Sequence, residues 1–404
     1  MTLRRPLFLA IALLAALAAW WSARLAFADL LYAQATPQST RRASELAPGN
    51  ARYAKGWADL AEGAGLSPAQ SESVLQSVLR ARPGDSEALI ALGLRAELGN
   101  DFPAAERDLL QASRTDKGYN PRWTLANYYF RRQDSPNFWK WSRAAAEMAY
   151  EPAPLFRLLW NYTDDGPQIL QRAIPDRSAI VRQYLGFLIA GPHWDAAAPA
   201  AQRLLQRPDP EDAPLLLAYC DRLLAAAHGP AALALWNQLA RLRLIEFPAI
   251  DPARGPVNGA FQTPPSGYGF DWRLNPADGI EVSQDLPGLR IAFTGSQPEA
   301  CEPLWQYAAL LPAARYRLAF EYATTGLSPR SGLRVRSVDL TAQPAVIAES
   351  PNLSNDDWQP VTLLFETPPT LTLARLDLSY RRSPGTTRIE GAVRLRNFTL
   401  ERIR

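Results

Sequence analysis

Hydrophobic and polar positions follow three different rules along this chain. From Pro6 to Ala23 the residues are apolar and uncharged, with Arg4 and Arg5 just ahead of them. As a helix such a run spans roughly 27 Å at ~1.5 Å per residue, about the hydrocarbon thickness of a bilayer. Leading arginines favour a cytoplasmic N-terminus, and Trp20 and Trp21 suit the far interface, where an amphipathic indole is most stable. The pattern predicts a membrane anchor over residues 1–28, its helix about 6–23, with the rest of the chain exported. Ala26-Phe27-Ala28 and Ala33-Gln34-Ala35 also fit the small-x-small pattern of signal cleavage sites. A cleaved signal peptide is therefore the competing reading; the length of the run and the paired tryptophans favour the anchor.

From about 33 to 247 the apolar residues recur at helical spacing, punctuated by proline. Pro48 and Pro83 lie 35 residues apart, each followed by glycine and a short polar residue. "DKGYNP" (116–121) and "AYEPAP" (149–154) follow at similar intervals. The clearest segment is 85–116. Leu89, Leu92, Gly93 and Ala96 share one helical face, Gly99-Asn100-Asp101 makes a turn, and Ala105, Leu109 and Ala112 line a second helix. Further amphipathic helices are expected over 177–190, 195–206, 212–227 and 230–244.

That two-helix unit resembles the tetratricopeptide repeat. Leu89, Leu92-Gly93, Ala105, Leu109 and Ala112 stand at the family's positions, and Trp123 falls 34 residues after Leu89. The resemblance covers about 50 to 152; beyond it the hairpins are degenerate. It implies a stack of helix pairs that bury a shared core, with a concave face made by the first helix of each pair. On that face Tyr128 and Arg131 are the candidate protein-binding residues, if Trp123 takes its usual buried slot. The alternative is that "NYYF" and "FWKW" simply fill the core and cover helix ends.

At Pro248, Pro252 and Pro256 a stiff linker (248–256) begins, and alternation replaces the helical period. Tyr316, Leu318, Phe320 and Tyr322 face one way, Arg317 and Glu321 the other; Leu333 and Val335 oppose Arg334 and Arg336; Val361, Leu363 and Phe365 share a face. These are half-buried strands. Two strands change parity partway, which predicts bulges or a change of sheet near Ala374-Arg375 and near Arg396-Asn397. Residues 257–404 therefore read as an antiparallel sandwich.

This segment resembles the jelly-roll carbohydrate-binding modules of secreted glycoside hydrolases. Asn258, Gly259 and Phe261 open it; Trp272, the strand 288–291, then Pro312, Tyr316, Leu318 and Phe320, Asp357-Trp358, and the closing strand follow in the family's order. The resemblance implies that Phe261 and Trp272 are core residues. Asn397 stands where the family usually carries an Asp, so a calcium site is not carried over. Tyr268 and Phe270, in a glycine-flanked loop, and Trp305 and Trp358 are the candidate glycan-stacking residues, since an apolar sugar face suits an aromatic ring. Tyr307 is a further candidate of the same kind, and packing is the alternative for each of them.

Composition adds mostly exclusions. A net charge of +3 on 404 residues gives no field to recruit nucleic acid. Nearly all cationic residues are arginine, with lysine only at 55, 117 and 140. Cys220 and Cys301 are expected as separate thiols, and two cysteines with two histidines are too few for an ordinary zinc site. No cofactor motif or catalytic constellation stands out: no Gly-x-Ser-x-Gly, phosphate loop or His-Glu-x-x-His. Asp195, after His193-Trp194, is expected as a helix N-cap, and the Asp164-Asp165 and Asp356-Asp357 pairs in turns.

The expectation is a multidomain, non-catalytic scaffold. It has a single-pass inner-membrane anchor, a repeat domain (33–247) holding a protein partner in the periplasm, and a sandwich (257–404) contacting a polysaccharide or a second protein. A role in cell-surface polysaccharide assembly or export rests on fold analogy alone. The alternatives are a purely structural interaction protein without glycan binding, and a glycan-active enzyme.

Overall fold

The computed structural model of the chain describes residues 4–63, 67–340 and 344–403. They form two compact units, 1–180 and 181–404.

The first unit begins with α1 (Arg4–Ala33), followed by α2 (Pro37–Leu46) and α3 (Ala51–Gly63). Leu9–Ala33 is long and apolar enough to cross a membrane. The Arg24 guanidinium lies 5.4 Å and 5.1 Å from the Trp20 and Trp21 ring centres. α1 does not stop at the apolar run. Its last turns bury Ala28 and Leu31 with Ala43 and Tyr53, and the Tyr53 hydroxyl donates to Asp29. Burial, followed by that carboxylate, pushes the Tyr53 hydroxyl up to about 12.

Hairpins follow: α4 (Pro68–Ala81), α5 (Ser86–Leu98), α6 (Phe102–Thr115), α7 (Tyr119–Arg131), α8 (Ser135–Ala146), α9 (Ala153–Tyr162) and α10 (Gly166–Arg172). The 85–116 pair is as the pattern predicts. Leu89, Leu92, Ala105, Leu109 and Ala112 are buried. A side chain on Gly93 would come within 2.8 Å of Leu109, so glycine sets the closeness of α5 and α6. Proline recurs in first turns because its missing N–H is unpaired there anyway. An aspartate before it caps the helix: Asp101, Asp134 and Asp165 accept from the N–H of Ala104, Asn137 and Gln168.

α11 (Ser178–Ala190), α12 (Ala198–Leu205), α13 (Ala213–Ala225) and α14 (Gly229–Arg241) match the four later helices closely. Asp195 is a correction. It sits inside a 3₁₀ turn, Trp194–Ala197, whose N-cap position is His193 without a side-chain cap. With α12 starting only at Ala198, there is no helix at Asp195 for it to cap. By contact, the helices from residue 181 onward group with the sandwich rather than with the hairpins before them.

The sandwich contains β1 (Arg254–Gly255), β2 (Arg273–Leu274), β3 (Ile280–Gln284), β4 (Leu289–Thr294), β5 (Ala300–Ala309), β6 (Arg315–Thr325), β7 (Leu333–Asp339), β8 (Ala345–Glu349), β9 (Gln359–Glu366), β10 (Leu373–Arg381) and β11 (Glu390–Ile403). One sheet has the order β3-β4-β11-β6-β9 with β1 also on β11; the other has β2-β5-β10-β7-β8. The described strand pairs are antiparallel. Tyr316, Leu318, Phe320, Leu333 and Val335 point into one core with Phe261, Trp272 and Phe398.

The bulge at Arg396-Asn397 is present: β11 slips against β6 between Arg396 and Thr399, with Asn397 at φ 55°. Asparagine tolerates that left-handed backbone better than most side chains. The bulge expected at Ala374-Arg375 is absent. β10 starts at Leu373, which is buried on the outer face beside Gly229 of α14, while Leu371 and Ala374 belong to the core. The irregularity lies instead between Leu378 and Tyr380 on the β5 side.

Candidate functional site

The segment 258–274 joins the last helices to the sandwich. Phe261 and Trp272 pack in the sandwich core against Phe398, at ring separations of 5.9 Å and 5.1 Å. Phe270 turns the other way and meets Trp236 of α14 edge-on at 5.8 Å. It is 1 % exposed, so the expected stacking role is corrected: this ring is a contact between helix and sandwich. Gly269 between them has φ 55°, and a Cβ there would lie 2.1 Å from the Trp236 ring. Asp221 of α13 accepts from Gly269 N–H at 2.7 Å and from Arg273 at 2.5 Å. The buried Gln306 amide, with its oxygen toward the indole, accepts from Trp272 Nε1 at 2.9 Å and donates to Phe270 O at 2.8 Å.

Tyr268 alone in this segment presents its ring to solvent, at 53 % exposure. It stands at an apolar pocket of about 400 Å³ with Leu217, Trp236, Leu244, Phe247 and Pro264.

Trp305 projects from the outer face of β5, half-buried, at right angles to Tyr307. The Arg273 guanidinium lies 4.9 Å from its ring centre and Arg375 lies 5.9 Å away. Arg273 is held there by Asp221 and by Gly269 O, and α14 packs against the same strand. Burial pushes the Tyr307 hydroxyl up.

Trp358 lies on the outer face of the other sheet, just ahead of β9. Arg396 and Arg394 of β11 sit 3.9 Å and 5.3 Å from its ring centre. This face is open: Arg290, Arg317 and Thr362 are exposed, and Leu364 is 62 % exposed. Glu321 of β6 pairs with Arg396 at 2.7 Å and accepts from Asn397. Those two contacts hold its carboxyl below the usual range, so it is an anion at neutral pH. Tyr268, Phe270, Trp305 and Trp358 thus do not converge on one groove.

On the helical unit, Tyr128 is also a correction. It is 3 % exposed and donates to Phe102 O at 3.1 Å, with its ring against Tyr129. Trp123 is only half-buried, stacked 5.9 Å from Tyr119, so the rotation that would have turned Tyr128 outward is not adopted. Phe138 and Trp139 are likewise buried. Arg131 is partly exposed, but it forks onto Glu97 at 2.7 Å and 2.6 Å. The two residues are 34 apart, one repeat, so this pair links the first helices of neighbouring hairpins.

Both cysteines are free thiols, and burial raises both, Cys301 to about 11. Among the described residues no group of three or more His, Cys, Asp or Glu is placed to hold a metal ion. The residues that sequence reasoning missed are Asp221, Trp236, Arg290, Arg394 and Arg396. The arginines were visible as outward positions of alternating strands, but not which strands would lie side by side.

No protein-family profile matches the chain, and no curated protein matches it. Similar solved structures include a carbohydrate-binding module of the CBM4 type, 12 % identical over 36 % of this chain and 98 % of that one, with a TM-score of 0.30. A family 16 carbohydrate-binding module is 15 % identical over 36 % and 96 %, with a TM-score of 0.25. YrrB, a TPR protein with an unusual peptide-binding site, is 11 % identical over 52 % and 95 %, with a TM-score of 0.26. The sheet order and the helix hairpins themselves, rather than these partial likenesses, carry the fold.

Proposed function

We propose that this is a membrane-tethered, non-catalytic binding protein of the bacterial periplasm. Its sandwich contacts a glycan through the outer face around Trp358, and its helical hairpins hold a protein partner. The observation that carries the reading is a half-buried indole on an open sheet face, lying against Arg394 and Arg396. An aromatic ring braced by guanidinium groups is a stiff platform for an apolar sugar face. A non-catalytic role is favoured by the state of the carboxylate opposite Arg396. Glu321 is committed to Arg396 and ionised, and so is unsuited to donate a proton to a leaving group. Retention of the tether is supported by α1, which runs unbroken through Ala26-Phe27-Ala28 and buries its own last turns.

The test is retention of the full chain, in neutral detergent, on a panel of immobilised bacterial and plant polysaccharides. Trp358→Ala is expected to abolish retention, and Tyr268→Ala to leave it intact. Retention of nothing, or retention indifferent to Trp358, removes the glycan reading. The second reading, a purely protein-binding molecule, is favoured by the exposed Tyr268 at its apolar pocket. In that case a protein partner is lost on Tyr268→Ala and no glycan is retained.

A further inference from the structure

We infer that the Trp358 face is built for an acidic polysaccharide, one carrying carboxylates on its sugars; this rests on the glycan reading above and names its substrate class. The register of the sheet carries it. Arg394 of β11 lies directly opposite Arg290 of β4 and, on its other side, opposite Ala323 of β6. Gln359 pairs with Tyr322, so Trp358 continues the same row beside Ala323. The row is therefore Arg290, Arg394 and Ala323 across three strands, with Trp358 just ahead of the fourth.

Like charges directly opposite each other in an antiparallel pair are destabilising. Sheets normally relieve this with a carboxylate, and the neighbouring row does so: Arg396 is opposite Glu321 and bonded to it, and further along Arg317 is opposite Glu401 and bonded to it. Among the described residues neither Arg290 nor Arg394 forms an ion pair with a carboxylate. Glu281, two positions from the β3 residue that faces Arg290, does not reach it either. Two guanidinium groups without a bonded carboxylate thus lie side by side on this face, with Glu281 of the adjoining strand the carboxylate in the next row.

Ala323, between Arg394 and Trp358, has no side chain beyond Cβ and is buried, and the Arg394 side chain reaches toward the indole. The Arg394 guanidinium lies 5.3 Å from the Trp358 ring centre, within reach of a substituent on a sugar stacked there. A sugar ring resting on Trp358 would bring a carboxylate on itself or its neighbour toward Arg394 and Arg290. Guanidinium groups bind carboxylates through paired, charge-assisted hydrogen bonds. Arg396, already neutralised by Glu321, serves to brace the indole.

The experiment uses the full chain in neutral detergent with polygalacturonate and alginate, each compared with the same polymer after its carboxyl groups are reduced to alcohols. Wild type is expected to bind at least one acidic polymer about tenfold or more tighter than its reduced form, with affinity falling as salt rises. The Arg290→Gln/Arg394→Gln double variant is expected to lose that preference; because Arg394 also lies against the indole, Arg290→Gln alone is the variant expected to reduce the preference while still binding the reduced polymer. The double variant's melting temperature should be no lower than wild type, because a repulsion is removed. Trp358→Ala should weaken both polymers. Equal binding of acidic and reduced forms, unchanged in the double variant, overturns the inference and leaves the glycan reading standing. No binding of any form overturns both. Binding to phosphatidylglycerol vesicles that depends on the two arginines, with no polymer bound, assigns the face to the membrane surface and also overturns it.

Discussion

Tyr268 and Phe270 stand two residues apart with opposite surroundings, and their difference is the sharpest test at the scale of single side chains. Phe270 fills the gap against Trp236 at 1 % exposure, while Tyr268 is 53 % exposed. Phe270→Ala should lower the unfolding free energy by about 3–5 kcal/mol, since it leaves a cavity between helix and sandwich. Tyr268→Ala should change it by no more than about 0.5 kcal/mol. Denaturant unfolding of the full chain in detergent measures both, and equal losses would mean the loop is not as described. In the sequence the two aromatics looked alike, both flanked by glycine. Only the edge-on contact of Phe270 with Trp236 tells which ring is pressed against the helix.

At the scale of elements, the join between α13 and the segment before β2 turns on Asp221. Burial raises its carboxyl above the ordinary value of 3.8, while Arg273 and the Gly269 N–H draw it back. A raised carboxyl binds its proton more tightly when folded. Its stabilising share is therefore complete below the ordinary value and is lost as pH rises through the folded value. Asp221→Asn cannot titrate. The stability difference between wild type and variant should thus move in the variant's favour as pH rises from about 4 to about 7; movement the other way would contradict the burial. Strand parity shows what alternation can and cannot report. The change at Arg396-Asn397 is a true bulge, because the residues on both sides of it face one core. The apparent change in "LTLARLDL" arises from Leu373, an apolar residue on an outer face covered by α14. A covered outer face and a slipped register produce the same letters.

For the molecule as a whole, the first helix is at once a bilayer-length segment and part of the folded helical unit. Cleavage after Ala35 would remove Ala28, Leu31 and Tyr32 from their packing with Tyr53, and Tyr32 also fits against Gly56. Intact-mass measurement of the protein from the membrane fraction should therefore find α1 still attached. A mature chain beginning at Asp29 or Thr36 would refute this.

The kinds of element, their order and most of their buried faces were settled by the sequence alone, because hydrophobic period is a local property that each helix or strand carries in its own residues. The helix pair of 85–116, the repeat spacing and the inward faces of β6, β7 and β9 are of this sort. Pairing is not local. That Phe270 finds Trp236, that Glu97 and Arg131 neutralise each other one repeat apart, and that β4 lies beside β11 so that Arg290 faces Arg394 were decided only by tertiary structure. Each of these brings together residues from separate elements, and no pattern within either element records its neighbour.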